Sequence, residues 1–182
     1  VSDPNTTVRD IMREDIDAAK DAGLAGIVIG AATKERALDL DVLSDLIRHA
    51  NGLCITLHRV IDTLIDPLWA IDCAVDLGIS RILTSGQKTT AIMGAEFIAH
   101  MKEHAGNRIE IMAGSGVNAQ NLATLVDKTG VHAFHSSASF GRESSDDPFG
   151  LGYAAKSALV LSNITKMHAI LNGLKSVNLD EC

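Results

Sequence analysis

The stretch Cys54-Ile-Thr-Leu-His-Arg-Val-Ile-Asp62, followed by Arg81-Ile-Leu-Thr-Ser-Gly86, decides the fold of this 182-residue chain. Each segment is an apolar run that becomes polar only at its C-terminal end, and a helical pattern lies between them. A strand, a crossover helix and a second strand form the repeating unit of a parallel sheet. Ligand chemistry in such sheets collects at the carboxyl ends of the strands. The two segments therefore predict a parallel α/β fold with functional residues at those ends.

Three further apolar runs extend this pattern toward both ends of the chain. The runs begin roughly 25 residues apart, about the length of one strand, one helix and their short loops. This rhythm favours a single partial TIM-like (β/α) barrel domain with five parallel strands visible in residues 1–182. Residues 139–182 are expected to form a polar loop, a C-terminal helix and a tail. The predicted strands are Gly26–Gly30, Leu53–His58, Arg81–Ser85, Arg108–Ala113 and Val131–Ser136.

Capping residues predict where the helices begin. Thr7, with Asp10 three residues later, has the arrangement of a capping box, and Asp39 is a second candidate cap. Asp66 precedes Pro67, which is tolerated in the first turn of a helix. Later helices are predicted at about Thr90–Ala105, after the cap Asn118, and at about Tyr153–Asn172.

Composition limits the classes of partner. The chain is 46% hydrophobic but only 3% aromatic, so its core must be built from aliphatic side chains, as suits a buried parallel sheet. A net charge of −7 without a long basic run argues against a nucleic-acid partner. No apolar run approaches the roughly 18 residues that span a bilayer, and the first residues lack a signal-peptide layout, so no membrane partner is expected.

Cysteine usage and sheet edges give two further expectations. Cys54, Cys73 and Cys182 are widely spaced and odd in number, which argues against a disulfide framework and favours a reducing, cytoplasmic setting. An open five-stranded sheet would expose two strand edges. Either strands upstream of Val1 or another chain would cover them, and a homo-oligomer is one such arrangement.

The predicted strand Leu53–His58 ends in the first candidate for chemistry. Side chains alternate along a strand, so Ile55 and Leu57 would pack against helices while Thr56 and His58 point into the barrel. His58 would then be a proton donor or acceptor near the barrel mouth, or a histidine satisfied by neighbouring polar groups.

Further polar residues follow the same strand and the next one. Arg59 is a candidate to hold an anion through its planar guanidinium, or to form an ion pair with Asp62 or another carboxylate. Asp62 is a candidate ligand-binding residue of the same segment. The next strand ends in Thr84 and Ser85, whose hydroxyls would either position a ligand or cap the following helix.

The segment Gly114-Ser115-Gly116 follows another predicted strand and opens a helix. Glycine lets the backbone approach a ligand closely, and a helix N-terminus offers free N–H groups to an anion. A tight turn between strand and helix accounts for the same residues. His135, at the end of the last predicted strand, is a candidate companion for His58.

Residue spacing does not define a metal site. The chain has no Cys-x-x-Cys pair, which is the arrangement that would indicate a thiolate centre. Cys54 begins a strand, away from the carboxyl ends, and Cys73 lies within a predicted helix. Copper(I) prefers thiolate ligands, and these cysteines are not arranged for it. Any metal ligands therefore remain unidentified from the residues.

The run Thr56-Leu-His-Arg-Val-Ile-Asp62 resembles the Thr-Phe-His-Arg-Ala-Phe-Asp motif of the CutC family. The resemblance implies a (β/α) barrel, a cytoplasmic protein linked to copper homeostasis, and copper as the bound ion. It covers about Val8 to Ala138 in order. Further segments that look like those of the family are Asp15-Ile16, Gly26–Gly30, Asp66-Pro67, Arg81–Gly86, Ile111–Val117 and Phe134–Ala138.

Departures from the family pattern keep a second hypothesis open. Arg36 stands where the family has a glycine, and Ala113 replaces the proline before the glycine-rich loop. The family's copper-associated cysteines would lie in strands that this sequence lacks, so the resemblance places no copper ligand here. The alternative is a barrel enzyme acting on a small anionic or phosphorylated substrate, with Arg59 and the loop Gly114–Asn118 holding the anion and His58 as general acid or base. A fragment without activity of its own is the third reading.

Overall fold

Five parallel strands form one sheet in the order β1-β2-β3-β4-β5, and helices connect them. The computed structural model describes residues 7–137 and 168–173. The alternation of strand and helix is that of a partial TIM-like (β/α) barrel, so the predicted α/β fold class is confirmed. Within the described ranges, no helix combines the length and apolar character needed to cross a bilayer. The elements are α1 (Val8–Asp21), β1 (Gly26–Ile29), α2 (Leu40–Ala50), β2 (Cys54–Leu57), a 3₁₀ helix (Arg59–Thr63), α3 (Pro67–Asp76), β3 (Arg81–Thr84), α4 (Ala95–Ala105), β4 (Glu110–Gly114), α5 (Leu122–Thr129) and β5 (Ala133–His135).

Two compact units make up the chain, Val1–Ile82 and Leu83–Cys182. In the first unit β1 and β2 pair in parallel, with Ile29 opposite Leu57. Ile55 and Leu57 are buried, at 3% and 0% exposure, whereas Val28 on the other face of the sheet is 60% exposed. The predicted alternation of burial along β2 is confirmed, because Ile55 and Leu57 are buried whereas Thr56 is half-buried. That Thr56 and His58 point into a barrel stays a prediction.

The helix caps of the first unit are those the sequence predicts. The Thr7 hydroxyl accepts the Asp10 N–H at 3.2 Å, and the Asp10 carboxylate accepts the Thr7 N–H at 3.0 Å. These Thr7 hydrogen bonds hold the pKa of Asp10 below its ordinary value of 3.8. Asp39 and Asp66 each accept the backbone N–H three residues later at 3.0 Å. Such bonds satisfy N–H groups that the first helical turn leaves open.

Two helices of the second unit begin later than predicted. The helix expected from about Thr90 starts at Ala95, because the preceding residues form turns in which the Met93 N–H bonds to the Thr90 carbonyl at 3.1 Å. Asn118 caps a turn rather than the helix itself, and its Oδ1 accepts the Asn121 N–H at 3.1 Å. The helix after it, α5, begins only at Leu122.

The predicted elements near the C-terminus fall mostly outside the described ranges. Of the helix predicted at Tyr153–Asn172, residues 168–172 are described and are helical. The remainder of that helix and the predicted polar loop Ser139–Gly152 lie outside the described residues.

Candidate functional site

His58 directly follows β2, and its imidazole caps the 3₁₀ helix. Its Nδ1 accepts a hydrogen bond from the Val60 N–H at 3.0 Å. Burial lowers the pKa of His58 below its ordinary value of 6.5, so the ring is neutral at pH 7. A neutral imidazole that accepts through Nδ1 carries its proton on Nε2. Within residues 7–137 and 168–173 Nε2 has no hydrogen-bond partner, and the side chain is only half-buried. His58 therefore presents one N–H donor at the end of β2.

Gly30, the residue after β1, makes room for this imidazole. A Cβ atom built on Gly30 would stand 2.6 Å from Nδ1 and 2.9 Å from Nε2 of His58. Nonbonded heavy atoms prefer separations of about 3.5–4.0 Å, so only glycine fits here without moving the ring. The sequence analysis did not single out Gly30. The signal that would have identified Gly30 is the register of β1 with β2. Because Ile29 lies opposite Leu57, the residues that follow them, Gly30 and His58, lie side by side.

Arg59 and Asp62 form a buried ion pair within the 3₁₀ helix. The Arg59 Nε lies 2.9 Å from Asp62 Oδ2, and the two side chains are 10% and 0% exposed. Of the two roles considered for Arg59, the ion pair is the one the structure contains. Its charge is balanced locally, as buried charges require. The pair therefore fixes the segment after His58.

Thr84 and Ser85, at the end of β3 in the second unit, are both at 0% exposure. The Thr84 hydroxyl accepts the Gly86 N–H at 2.9 Å, and the Ser85 hydroxyl donates to the Lys88 carbonyl at 2.5 Å. These bonds shape the loop after β3. Two roles were predicted for these hydroxyls, and the bonds described here are of the structural kind, since they join residues within the loop. A role in positioning a ligand stays a prediction.

The loop after β4 carries two consecutive residues in the left-handed region. Ser115 has φ of 80° and Gly116 has φ of 72°. A non-glycine residue in this conformation costs roughly 1–2 kcal/mol. Two hydrogen bonds to the β3–α4 loop hold Ser115 there: its hydroxyl donates to the Thr89 carbonyl at 2.7 Å, and its carbonyl accepts the Ala91 N–H at 3.0 Å. The strained serine therefore locks two neighbouring loops of the second unit together.

Several polar groups of this loop region have no partner among the described residues. No hydrogen bond within that part of the chain is donated by the N–H groups of Ser115, Gly116 or Val117. The Thr90 hydroxyl oxygen is shielded from solvent and is likewise without a partner there. The Thr90 methyl would lie 3.1 Å from a Cβ on Gly116, so the hydroxyl-bearing residue borders the loop.

Gly114 and His135 are paired in register at the ends of β4 and β5. A Cβ on Gly114 would stand 3.3 Å from the His135 Cβ, and it would meet the Leu83 side chain as well. A larger residue at position 114 would therefore have to displace the Leu83 side chain within the sheet. His135 is exposed at the end of β5. Its predicted role beside His58 stays a prediction.

The donor set does not fit a metal centre. Among the described residues, no group of three or more His, Cys, Asp or Glu side chains could hold a metal ion. Cys54 is an exposed free cysteine at the start of β2. Burial, with Asp76 and Asp72 nearby, raises the pKa of the Cys73 thiol above its ordinary value of 9.0 and disfavours the thiolate. His100 and His104 share the i, i+4 spacing of a helical metal pair on α4, yet they too lack a third ligand within the described residues.

Sequence comparison places the chain beside proteins of one family. The model of the CutC family matches residues 5–140. A CutC family protein from Photobacterium profundum is 38% identical over 172 residues, which is 91% of this chain and 70% of that protein. A CutC family protein from Caulobacter vibrioides is 48% identical over 128 residues, which is 70% of this chain and 52% of that protein. The chain thus spans about half the length of the second relative.

Structural comparison agrees with the sequence. A structure from Streptococcus agalactiae, described as that of a candidate copper homeostasis protein CutC, matches with a TM-score of 0.67 and 34% identity. The match covers 70% of this chain and 62% of that one. A structure described as native KDPGal has a TM-score of 0.57 at 17% identity, covering 90% of this chain and 65% of the other. The second likeness concerns the fold alone.

Proposed function

The chain belongs to the CutC family, and from that premise we propose that it binds a small oxygen-bearing anion, such as a phosphorylated metabolite, at the carboxyl ends of its strands. The observation that carries the proposal is the imidazole of His58 at the end of β2: its Nδ1 accepts the Val60 N–H, and its Nε2 has no partner among residues 7–137 and 168–173. A neutral imidazole that is held by the backbone acts as a hydrogen-bond donor to a carbonyl or anionic oxygen.

The hydrogen bond at Nδ1 also determines what His58 can do in catalysis. Because the Val60 N–H occupies the Nδ1 lone pair, the neutral ring has no free basic nitrogen. His58 therefore stabilises negative charge on a ligand oxygen, or donates its Nε2 proton, more readily than it accepts one. If the anion is a substrate, the role of His58 is that of an electrophile or general acid.

The second unit offers separate support for anion binding. The N–H groups of Ser115, Gly116 and Val117 lack partners in the described part of the chain, and backbone N–H groups are suitable donors to phosphate. The solvent-shielded Thr90 hydroxyl adds another donor beside Gly116. A buried polar group without a hydrogen bond costs roughly 1–3 kcal/mol, and an oxygen-rich ligand or a water molecule would relieve that cost.

A part in copper homeostasis is the second candidate function, because the description of the S. agalactiae relative names it. Copper(I) prefers thiolates, but Cys54 is exposed at a strand start and the Cys73 thiol has a raised pKa. The described side chains therefore do not fit a copper ion. We propose that any contribution of this chain to copper homeostasis proceeds through its anionic ligand, in a cytoplasmic setting that keeps its cysteines reduced.

Two substitutions separate the donor of His58 from its capping role. In His58→Asn the amide oxygen replaces Nδ1 and can still cap Val60, but the Nε2–H is lost. In His58→Gln the amide nitrogen reaches the place of Nε2 while the cap is lost. Titration of both variants with inorganic phosphate, followed by calorimetry and amide chemical shifts, tests the proposal.

We expect His58→Asn to weaken phosphate binding by about tenfold or more, as removal of a hydrogen bond to a charged group does. His58→Gln should retain affinity within about threefold, since a charged ligand still finds one donor. Shifts of the Ser115, Gly116 and Val117 amides would indicate that the second unit binds phosphate through its own loop. Equal affinities of the native protein and His58→Asn, or no phosphate binding by the native protein, would contradict the proposal.

A further inference from the structure

The β1–α2 connection is a small hairpin that ends in a strained arginine. Ala32 pairs with Leu38 in an antiparallel bridge, and the Thr33 N–H donates to the Ala37 carbonyl at 2.9 Å. Leu38 is 3% exposed and anchors the hairpin in the core. Arg36, near its tip, has φ of 61°. Strain of this kind persists only where surrounding contacts hold the residue in place, and it is often found at functional sites.

Arg36 is held by two hydrogen bonds, one to the last residue of the 3₁₀ helix and one to the chain just after it. Its Nε donates to the Thr63 carbonyl at 2.6 Å, and its own carbonyl accepts the Ile65 N–H at 3.0 Å. A glycine at this position would adopt the same backbone conformation without steric strain. It would lack the guanidinium that reaches Thr63. Arginine at this position therefore has a strained backbone but gains a side-chain hydrogen bond to the segment that follows His58.

A continuous series of hydrogen bonds leads from Arg36 to the imidazole. Arg36 Nε donates to the Thr63 carbonyl at 2.6 Å. The Thr63 hydroxyl donates to the Val60 carbonyl at 2.7 Å. The Val60 N–H donates to His58 Nδ1 at 3.0 Å. His58 thus fixes the start of the 3₁₀ helix and Arg36 fixes its end, while the Thr63 side chain joins the two.

We infer that Arg36 is a positioning residue for His58: it holds the 3₁₀ helix so that the Val60 N–H keeps the imidazole in the Nε2–H form. The inference rests on the proposed function, because it concerns the orientation of the proposed donor. It accounts for an arginine at a left-handed position, which the cost of the backbone conformation alone disfavours.

Three variants test the inference without any ligand. Arg36→Gly keeps the left-handed backbone and removes the guanidinium. Thr63→Val removes the hydroxyl in the middle of the series and keeps a side chain of the same shape. Lys34→Ala removes a neighbouring cation of the hairpin that contributes no hydrogen bond to the series, and it is the matched control. For each, nuclear magnetic resonance gives the hydrogen-exchange rate of the Val60 amide and the ¹⁵N shifts and pKa of His58.

We expect Arg36→Gly and Thr63→Val each to speed Val60 amide exchange by about fivefold, the effect of one hydrogen bond of ordinary net strength. The His58 pKa should rise toward its ordinary value as the ring becomes more exposed to water. Lys34→Ala should change neither quantity. Unchanged Val60 exchange and His58 pKa in both test variants would overturn the inference. These readouts use no phosphate, so the inference and the ligand proposal can fail separately.

Discussion

Replacement of Gly30 by alanine tests the contact that positions His58. The new Cβ would stand 2.6 Å from Nδ1 and 2.9 Å from Nε2, whereas about 3.5 Å is the shortest comfortable separation. The imidazole must therefore move by about 1 Å, because nonbonded atoms repel steeply below that separation. The bond from the Val60 N–H, now 3.0 Å long, would then exceed the range in which it is a hydrogen bond.

The size of the effect follows from three contributions. Loss of a cap costs about 0.5–2 kcal/mol, and overpacking adds about 1–3 kcal/mol. Gly30 does not have a positive φ, so alanine returns about 0.4–1 kcal/mol by restricting the unfolded chain. We expect Gly30→Ala to lower the free energy of unfolding by about 2 kcal/mol, the approximate balance of these terms.

A double-mutant cycle with His58→Ala isolates this contact. In the His58→Ala background the imidazole is absent, so Gly30→Ala should be neutral or slightly stabilising. The two substitutions should therefore couple by about 2 kcal/mol when urea denaturation of all four proteins is compared. Additivity within about 0.5 kcal/mol would refute the contact between Gly30 and His58, since independent sites behave in that way.

Three further predictions concern pH, backbone strain and thiols. The folded-state pKa of His58 lies below the unfolded value, so the unfolded chain binds the extra proton. The free energy of unfolding should be highest above about pH 6.5 and fall as the pH decreases from there; a His58→Asn profile with the same slope would contradict this. Ser115→Ala and Ser115→Gly both lose the hydroxyl that bonds to Thr89, but only alanine keeps a β-carbon at φ of 80°. Ser115→Gly should therefore be more stable than Ser115→Ala by about 1 kcal/mol in thermal unfolding. Equal stabilities of the two variants would show that Ser115 is not strained. In a Cys182→Ser background, Cys54 should react with a thiol reagent well before Cys73, because Cys54 is exposed and the Cys73 pKa is raised. Faster modification of Cys73, measured by mass spectrometry, would contradict this order.

Local signals in the sequence predict most of the fold. The caps Thr7, Asp39 and Asp66 act within three residues of the groups that they bind, so sequence spacing alone identifies them. The alternation along β2 follows from the pleat of a strand. The start of α4 was missed because the chain between Gly86 and Gly94 is shaped by close backbone approach, a contact that leaves no periodic pattern.

The environment of His58 could be predicted only in part. Its place at the end of a strand follows from the apolar run before it. Its tautomer depends on the Val60 N–H, and its packing depends on Gly30, which follows the neighbouring strand β1. The hydrogen bond of Arg36 to Thr63 joins residues that are 27 positions apart. Contacts of this range are set by register and loop geometry, which a single sequence does not reveal.

The central claim is that His58 is a neutral imidazole with its proton on Nε2. Long-range ¹H–¹⁵N correlation spectra of the native protein at pH 7 measure this directly, because protonated and unprotonated ring nitrogens have separate shifts. We expect the His58 Nε2 signal to be that of a protonated nitrogen and the Nδ1 signal that of an unprotonated acceptor. A proton on Nδ1, or a doubly protonated ring at this pH, would contradict the account.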